Sequence, residues 1–533
     1  MTVIEIGNQF STLIGASHKS QSTVDAMLAV ETPGHTFTAS YKAGHWDGMT
    51  RFLKKNKFPT GLLSEVVLAL RRAGDEPEIV DKRTEVGYTL PEEIKLAHAK
   101  LGHITLRDYQ YEAVTNALQA TRGIVNVATN GGKTEIACGI IQSILPNLKK
   151  EERIVFFTHA KEIFTQSVKR IEERLGIKVG VIGNGKWDVQ QVTVVMIPTI
   201  KTYVERPKDL TNVKKYKDLK DNVDLLRKAL RGSGLTEEQT KKYKEKQKIA
   251  KSELEEYRAK QWAIIDERVE KTQELLSSIV AFLGDEVHHA SSDTWYKVFM
   301  SLENAYYRFG LTGTVDEDNE INLKRLLGCT GKIVIKISND FLIEEGHSAK
   351  PTIYFLPVNA KPIDNVDYQT ARYEGIIRNE IRNKVFVEKI LERAKFGKQC
   401  LIIVNETEHA ELVLGMMEHR GVNVKVSHGD KPDKYREEVL EELRDGSLQV
   451  LIATTILDEG VDVSGINCLF LMAGGKSMRQ VLQRIGRGLR KKDDGSGLEV
   501  YDALDYHNEY LVDHTLDRYN TYKAEKFSIN KLT

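Results

Sequence analysis

The stretch from Gly123 to Glu135, GIVNVATNGGKTE, constrains the fold of this chain more than any other. A β-branched apolar run stops at a turn containing Gly131 and Gly132. Lys133 and Thr134 then open an apolar helical pattern, TEIACGIIQSIL. A strand, a glycine turn and a Lys-Thr pair at a helix start form the context that gives a phosphate-binding loop its physics. Gly131 and Gly132 let the backbone curl so that its N–H groups face phosphate oxygens. Lys133 would carry charge to the β- and γ-phosphates, and the Thr134 hydroxyl would face Mg²⁺. Val127 stands where the usual spacing has a first glycine. A Gly-Gly turn with a lysine also arises by chance, so the loop needs support from elsewhere.

The surrounding texture supplies some of it. From about residue 96 to 200, apolar β-branched runs (GIVNVAT, RIVFFTHA, VTVVMIPT) alternate with helical patterns, the signature of a parallel sheet wrapped by helices. A second such series runs through QCLIIVNETEHAELVLGMMEHRG, LQVLIATTILDEG and INCLFLMAGG. Between the loop and the strand SSIVAFLG, residues 201–278 turn to Lys, Glu, Gln and Leu and read as one or two long solvated helices. Residues 201–280 hold 20 basic and 15 acidic residues, against 77 and 76 in all 533. Overall charge therefore announces no nucleic-acid partner, and any basic surface must be local. The four cysteines are far apart and form no CxxC pair, which argues against zinc or disulfides and for a reducing cytoplasm. No apolar run nears the roughly 20 residues needed to cross a bilayer, so no membrane partner is expected.

Two further clusters fit phosphoryl chemistry. The strand IVAFLG ends in Asp285-Glu286. A carboxylate pair at the end of a parallel strand beside a phosphate loop can hold Mg²⁺ through Asp285 and polarise water through Glu286. The bland alternative is a solvated acidic pair. In the second series, QVLQRIGRGLRKK puts Arg487 and Arg490 three residues apart on one helix face, with Gln483 a turn earlier. Guanidinium groups suit the charge spread over a transferring phosphoryl group, and these would reach it from a second unit.

Taken in order, these pieces resemble the superfamily-two DExH helicases, over roughly residues 100 to 505. The resemblance implies two RecA-like domains and ATP with Mg²⁺. LRDYQYEAV matches the adenine-proximal motif and implicates Arg107 and Gln110. VATNGGKT supplies Thr129, Asn130, Gly131, Gly132, Lys133 and Thr134, with Asn130 where glycine is more usual. DEVH runs from Asp285 to His288, and LTGT, with Thr312 and Thr314, is the coupling motif. TTILDEGVDV implicates Thr454, Asp458, Gly460 and Asp462, between nucleotide and nucleic acid. Gln483, Arg487 and Arg490 would complete the ATP site. By family position, Thr158, Thr199, His428 and Thr454 are the phosphate contacts to the strand, though each residue could equally form a turn.

A narrower resemblance is to T-even-type phage branch-migration helicases, in YKAGHWDGMTRFL, FPTGLL and the ending YDALDYHNEYLVDHTLDRYNTYKAEKF. It marks Lys42, Trp46 and Arg51 as nucleic-acid contacts, although Trp46 could equally be core. The expected architecture is α/β: an α+β module over 1–95, a RecA-like unit over 96–345 interrupted by a helical insertion at about 205–278, and a second unit over 346–533. The expected activity is an ATP-driven motor on branched DNA, monomeric, with RNA in hybrids as a further substrate. An RNA helicase or the motor subunit of a restriction system are the alternatives.

Overall fold

The computed structural model describes residues 1–232, 235–288, 292–315, 319–348, 350–454, 466–475 and 497–531. An eight-stranded sheet runs, edge to edge, through Lys186–Asp188, Gly180–Gly183, Val192–Met196, Arg153–Thr158, Ile279–Asp285, Tyr307–Thr312, Arg122–Val127 and Ile333–Ile337. Only the outermost pair, Gly180–Gly183 with Lys186–Asp188, is antiparallel. Runs such as RIVFFT and YRFGLT are buried at nearly every position, as a parallel sheet covered on both faces requires. One face packs Ile136, Ile140, Phe156 and Leu283. The other packs Phe157, Phe282, Trp295 and Phe299.

A second, wholly parallel sheet orders Val424–Ser427, Val450–Thr454, Cys400–Val404, Cys468–Leu471, Glu499–Asp505, Thr352–Val358 and Ser528–Lys531. It too has an apolar core on each face. A helix, Glu509–Ala524, follows the strand Glu499–Asp505, and the chain then goes on to Ser528–Lys531, which becomes the edge strand. SINK is too short and too polar for any alternation to stand out, and only pairing with Thr352–Val358 makes it a strand.

At the N-terminus, Lys57–Pro59, Phe10–Ile14, Val3–Ile6 and Glu78–Asp81 form a four-stranded sheet, with helices His18–Leu28 and Leu63–Ala73 packed on each other. This module sits tightly on the first unit. A Cβ on Gly61 would fall 1.9 Å from the Leu327 carbonyl oxygen, and Lys324 Nζ lies 2.6 Å from Glu65. Val86, Ile94 and Leu96 pack in the core of the first unit rather than in that of the module.

The charged stretch forms two helices, Lys214–Arg231 and the 42-residue Glu237–Ser278. Thr236 starts the longer one. Its hydroxyl accepts from the Gln239 amide at 3.2 Å while the Gln239 side chain accepts from the Thr236 amide at 3.0 Å, a reciprocal cap. The helix ends at Ser278 with no linker before Ile279, the first residue of the strand that carries Asp285.

In the second unit His409 is almost fully buried, with Nε2 3.0 Å from Asn383 Oδ1. Burial, followed by the nearby charges of Arg382 and Arg372, pushes its pKa down to about 3 from 6.5. The unfolded chain then binds a proton that the native site refuses, so this contribution is complete above pH 6.5 and is lost as pH falls toward 3. From pH 7 to pH 5 this group alone should cost about 2 kcal/mol, at about 1.4 kcal/mol per pKa unit. Chemical denaturation of His409→Gln at both pH values should show that part of the acid sensitivity removed; parallel losses in both proteins would contradict the assignment.

Candidate nucleotide site at the strand ends of the first unit

Three neighbouring parallel strands bring the sequence motifs to one edge. Asp285 pairs with Leu311, and Thr312 with Asn126, so the ends of Ile279–Asp285, Tyr307–Thr312 and Arg122–Val127 lie level. The strand bearing LTGT thus separates the phosphate-loop strand from the DEVH strand. Carboxyl ends of parallel strands are where open α/β sheets bind ligands.

The loop from Ala128 to Gly132 turns through left-handed positions at Asn130 (φ 72°) and Gly132 (φ 81°) before the helix Lys133–Ile144 begins. Asn is among the few side chains that tolerate this region, so it serves where glycine is usual. At Gly132 a Cβ would stand 2.3 Å from Gln110 Nε2, so a side chain there would be strained by the positive φ and would displace the Gln110 amide. Gln110 Nε2 and Tyr109 Oη both donate to the Gly131 carbonyl, at 3.1 and 3.2 Å, and Arg107 donates to Tyr109 Oη at 3.1 Å. The Arg107–Gln110 segment therefore props the loop from outside. The linker between the units leans on the same place. Phe341 and His347 ring-contact Tyr109, and the buried Leu342 packs in the first unit's core.

Charge converges where the three strands end. Lys133 Nζ lies 2.6 Å from Glu286 Oε1, and His288 Nδ1 lies 3.3 Å from Glu286 Oε2. His288 Nδ1 is also 3.3 Å from Thr312 Oγ1, which donates to the Thr314 carbonyl at 2.8 Å. Contacts thus run unbroken from the phosphate loop through the DEVH strand end to LTGT. Burial drives the Glu286 pKa up, but Lys133 and His288 outweigh it and hold the carboxyl well below its usual range. At Asp285 the balance is reversed: burial, then the Glu286 charge, outweigh the pull of Lys133 and His159 and push it up to about 6. Glu286 itself adopts φ 48°, an uncommon conformation for a side chain of its size.

Thr134 follows Lys133 in the first turn of the loop helix, half-buried, as is Thr129. A glycine turn at a helix N-terminus, a lysine beside a carboxylate and a hydroxyl at the helix start suit a nucleotide polyphosphate with a divalent ion. Among the described residues no group of three His, Cys, Asp or Glu is placed to hold a metal without such a partner.

The expected nucleic-acid residues divide. Thr158 and Thr454 end strands of the two sheets, and both hydroxyls are buried with no partner among the described residues. Thr199 lies half-exposed in the short helix Ile197–Ile200. His428 is buried after Val424–Ser427, with Glu411 and Asp430 at 3.4 and 3.5 Å. In the N-terminal module Lys42 is exposed, and Trp46 is half-buried and donates to the Met49 carbonyl at 2.9 Å. The Arg51 guanidinium is engaged by Asp25 at 2.9 Å and Asp47 at 2.7 Å. Asp458, Gly460, Asp462, Gln483, Arg487 and Arg490 lie outside the described residues. The residue that sequence reasoning missed is Tyr109, whose only signal is its place between Arg107 and Gln110.

Comparison with known proteins agrees with this layout. The family described as "type III restriction enzyme, res subunit" matches residues 103–317, and the helicase conserved C-terminal domain matches 382–492. The DNA 3'-5' translocase XPB2 of Sulfurisphaera tokodaii is 25% identical over 435 residues, covering 73% of this chain and 80% of that one. The ATP-dependent DNA helicase uvsW of Enterobacteria phage T4 is 21% identical over 534 residues, covering 94% and 93%. A crystal structure of the helicase MrfA bound to DNA shares the fold at TM-score 0.51 and 14% identity, covering 84% of this chain and 56% of that one. With two parallel-sheet units, motifs level at one sheet edge, and both units matched in order, the chain is a superfamily-two helicase, an ATP-driven enzyme resembling the phage T4 helicase.

Proposed function

We propose that the chain is an ATP-dependent DNA translocase that remodels branched DNA, by branch migration, fork regression or unwinding of R-loops and D-loops, in phage-type recombination, repair and replication. The observation that carries the motor reading is the run of contacts from Lys133 through Glu286 and His288 to Thr312 and Thr314. It joins the nucleotide loop to the segment expected to couple nucleotide state to strand grip. Similarity to a DNA helicase along 94% of the chain favours DNA over RNA and over a restriction subunit.

Bound ATP supplies the phosphoanhydride whose cleavage drives the cycle, and Thr134 with Asp285 would hold its Mg²⁺. Everything else falls to this chain. Lys133 transfers from Glu286 to the phosphate oxygens. Glu286 thereby loses the cation that keeps its pKa low, and burial then raises its basicity toward that of a carboxylate able to take a proton from water. Gln483, Arg487 and Arg490 would close over the site from the second unit, so turnover requires the units to meet. His288, partnered with both Glu286 and Thr312, passes the rearrangement to Thr314. Thr158, Thr199, His428 and Thr454 would hold the strand backbone without reading bases.

Steady-state ATPase with no nucleic acid, single-stranded DNA, linear duplex, a four-way junction, an RNA–DNA hybrid and RNA should show the strongest stimulation by the junction. Stimulation by RNA alone would overturn the DNA reading and leave the motor. Lys133→Ala and Glu286→Gln should each lower turnover at least about 100-fold in a folded protein; near-normal turnover in either would sink the assignment. At the loop, Asn130→Gly should retain turnover, whereas Asn130→Val should lose stability by about 1–2 kcal/mol, because a β-branched side chain fits the left-handed conformation poorly. Equal melting of the two variants would contradict the loop geometry.

A further inference from the structure

The helical insertion carries its charge unevenly. In its outer part, residues 225–251, there are nine basic and three acidic side chains, while the rest of the hairpin within 214–278 holds eight basic and ten acidic. A charged face kept only for solubility has no need of this division. Lys241, Lys244, Lys248 and Lys251 recur every three or four residues, which places them along one flank of the long helix. Thr240, Tyr243, Gln247 and Ala250 lie on the more buried neighbouring face, toward the partner helix. All four lysines are exposed, and none has an ion-pair partner among the described residues. Nearer the root, by contrast, Arg206 pairs with Asp266 and Lys271 with Glu267.

The root also sets the direction. Leu275 and Leu276 join the core with Ile279 and Phe282, and Gln273 and Arg268 reach Val204 and Tyr203, which follow the strand Val192–Met196, as expected of a helix running back along the strand that it feeds. That strand has seven residues, about 23 Å at 3.3 Å each, which the helix matches with about 15 residues at 1.5 Å. Near residue 264 the helix therefore draws level with the strand end bearing Asp285. Arg206, ten residues past the carboxyl end of Val192–Met196, stacks on Trp262 at 4.0 Å and also pairs with Asp266, which fixes this part of the helix to the first unit. By this reckoning of lengths, the helix from Glu237 to about Gln261 would extend past the strand ends that carry the nucleotide loop and Thr158. Its lysine flank stands roughly 15–30 Å past the anchor, at 1.5 Å per residue.

We infer that this lysine flank is a second nucleic-acid contact, gripping the phosphate backbone of a duplex about 5 to 10 base pairs from the strand held at the sheet edges, at 3.4 Å rise per pair. The inference rests on reading the chain as a nucleic-acid motor. It adds a remote duplex clamp to that motor. Spaced lysines match a repeating polyanion without reading sequence, and the apolar face of the helix is already turned to its partner helix.

The test is the salt dependence of binding by the full chain to DNA hairpins with stems of 4 and 25 base pairs, each with the same single-stranded tail. With Lys241, Lys244, Lys248 and Lys251 all changed to Gln, affinity for the longer duplex should fall about tenfold or more, and its logarithmic salt slope should shrink by about 4, one per lost phosphate contact. Affinity for the short duplex and ATPase stimulated by a single-stranded decamer should be unchanged. Arg at the same four positions should restore the slope. An unchanged slope in a folded Gln variant would overturn the clamp and leave the motor standing. A wild-type ATPase indifferent to every nucleic acid, with the slope difference intact, would remove the motor and leave the arm as a binding element.

Discussion

Lys133 and Glu286, 2.6 Å apart, fasten the phosphate loop to the end of the strand Ile279–Asp285. Both side chains are mostly out of solvent, so neither charge is tolerable there without the other. Glu286 stays ionised only because Lys133 and His288 together outweigh its burial. In this arrangement the site satisfies itself, and in the proposed cycle phosphate competes with the carboxylate for the lysine. When the lysine transfers, the carboxylate is left in an environment that raises its proton affinity. In the proposed cycle, one exchange of partners thus links nucleotide binding to the readiness of the base.

The fold makes that exchange possible by register rather than by any special loop. Three parallel strands end level, so residues more than 150 positions apart, Lys133 and Glu286, meet without a long reach. The elements around them are tied to the same point. The Arg107–Gln110 segment and the linker with Phe341 and Leu342 both bear on the phosphate loop, and the linker leads to the second unit. The strand bearing Asp285 is continuous with the long helix of the arm. A change at the loop therefore has mechanical routes to both the second unit and the helical insertion.

Much of this was legible in the chain itself. A phosphate loop lacking its first glycine is weak alone, but DEVH and LTGT in order, each ending an apolar run, left few alternatives for fold class. The insertion's composition also announced helices, because from residue 208 to 278 only Gly232 and Gly234 could break them. What stayed hidden depends on tertiary pairing. SINK is a strand only beside Thr352–Val358, and Tyr109 matters only because its hydroxyl meets the Gly131 carbonyl. Arg51 reads as a free cation until Asp25 and Asp47 are seen around it. The arm's modest overall excess concealed its basic outer half, since a total does not show where a hairpin turns.

The most direct measurement is equilibrium binding of a fluorescent ATP analogue, at fixed Mg²⁺, to the wild-type chain and to Glu286→Gln. If the carboxylate holds Lys133 in reserve, removing its charge frees the lysine, and the variant should bind the nucleotide several-fold tighter even though it does not turn it over. Equal or weaker binding by a folded Glu286→Gln protein would mean that the pair does not compete with phosphate, and the account of this site would fail.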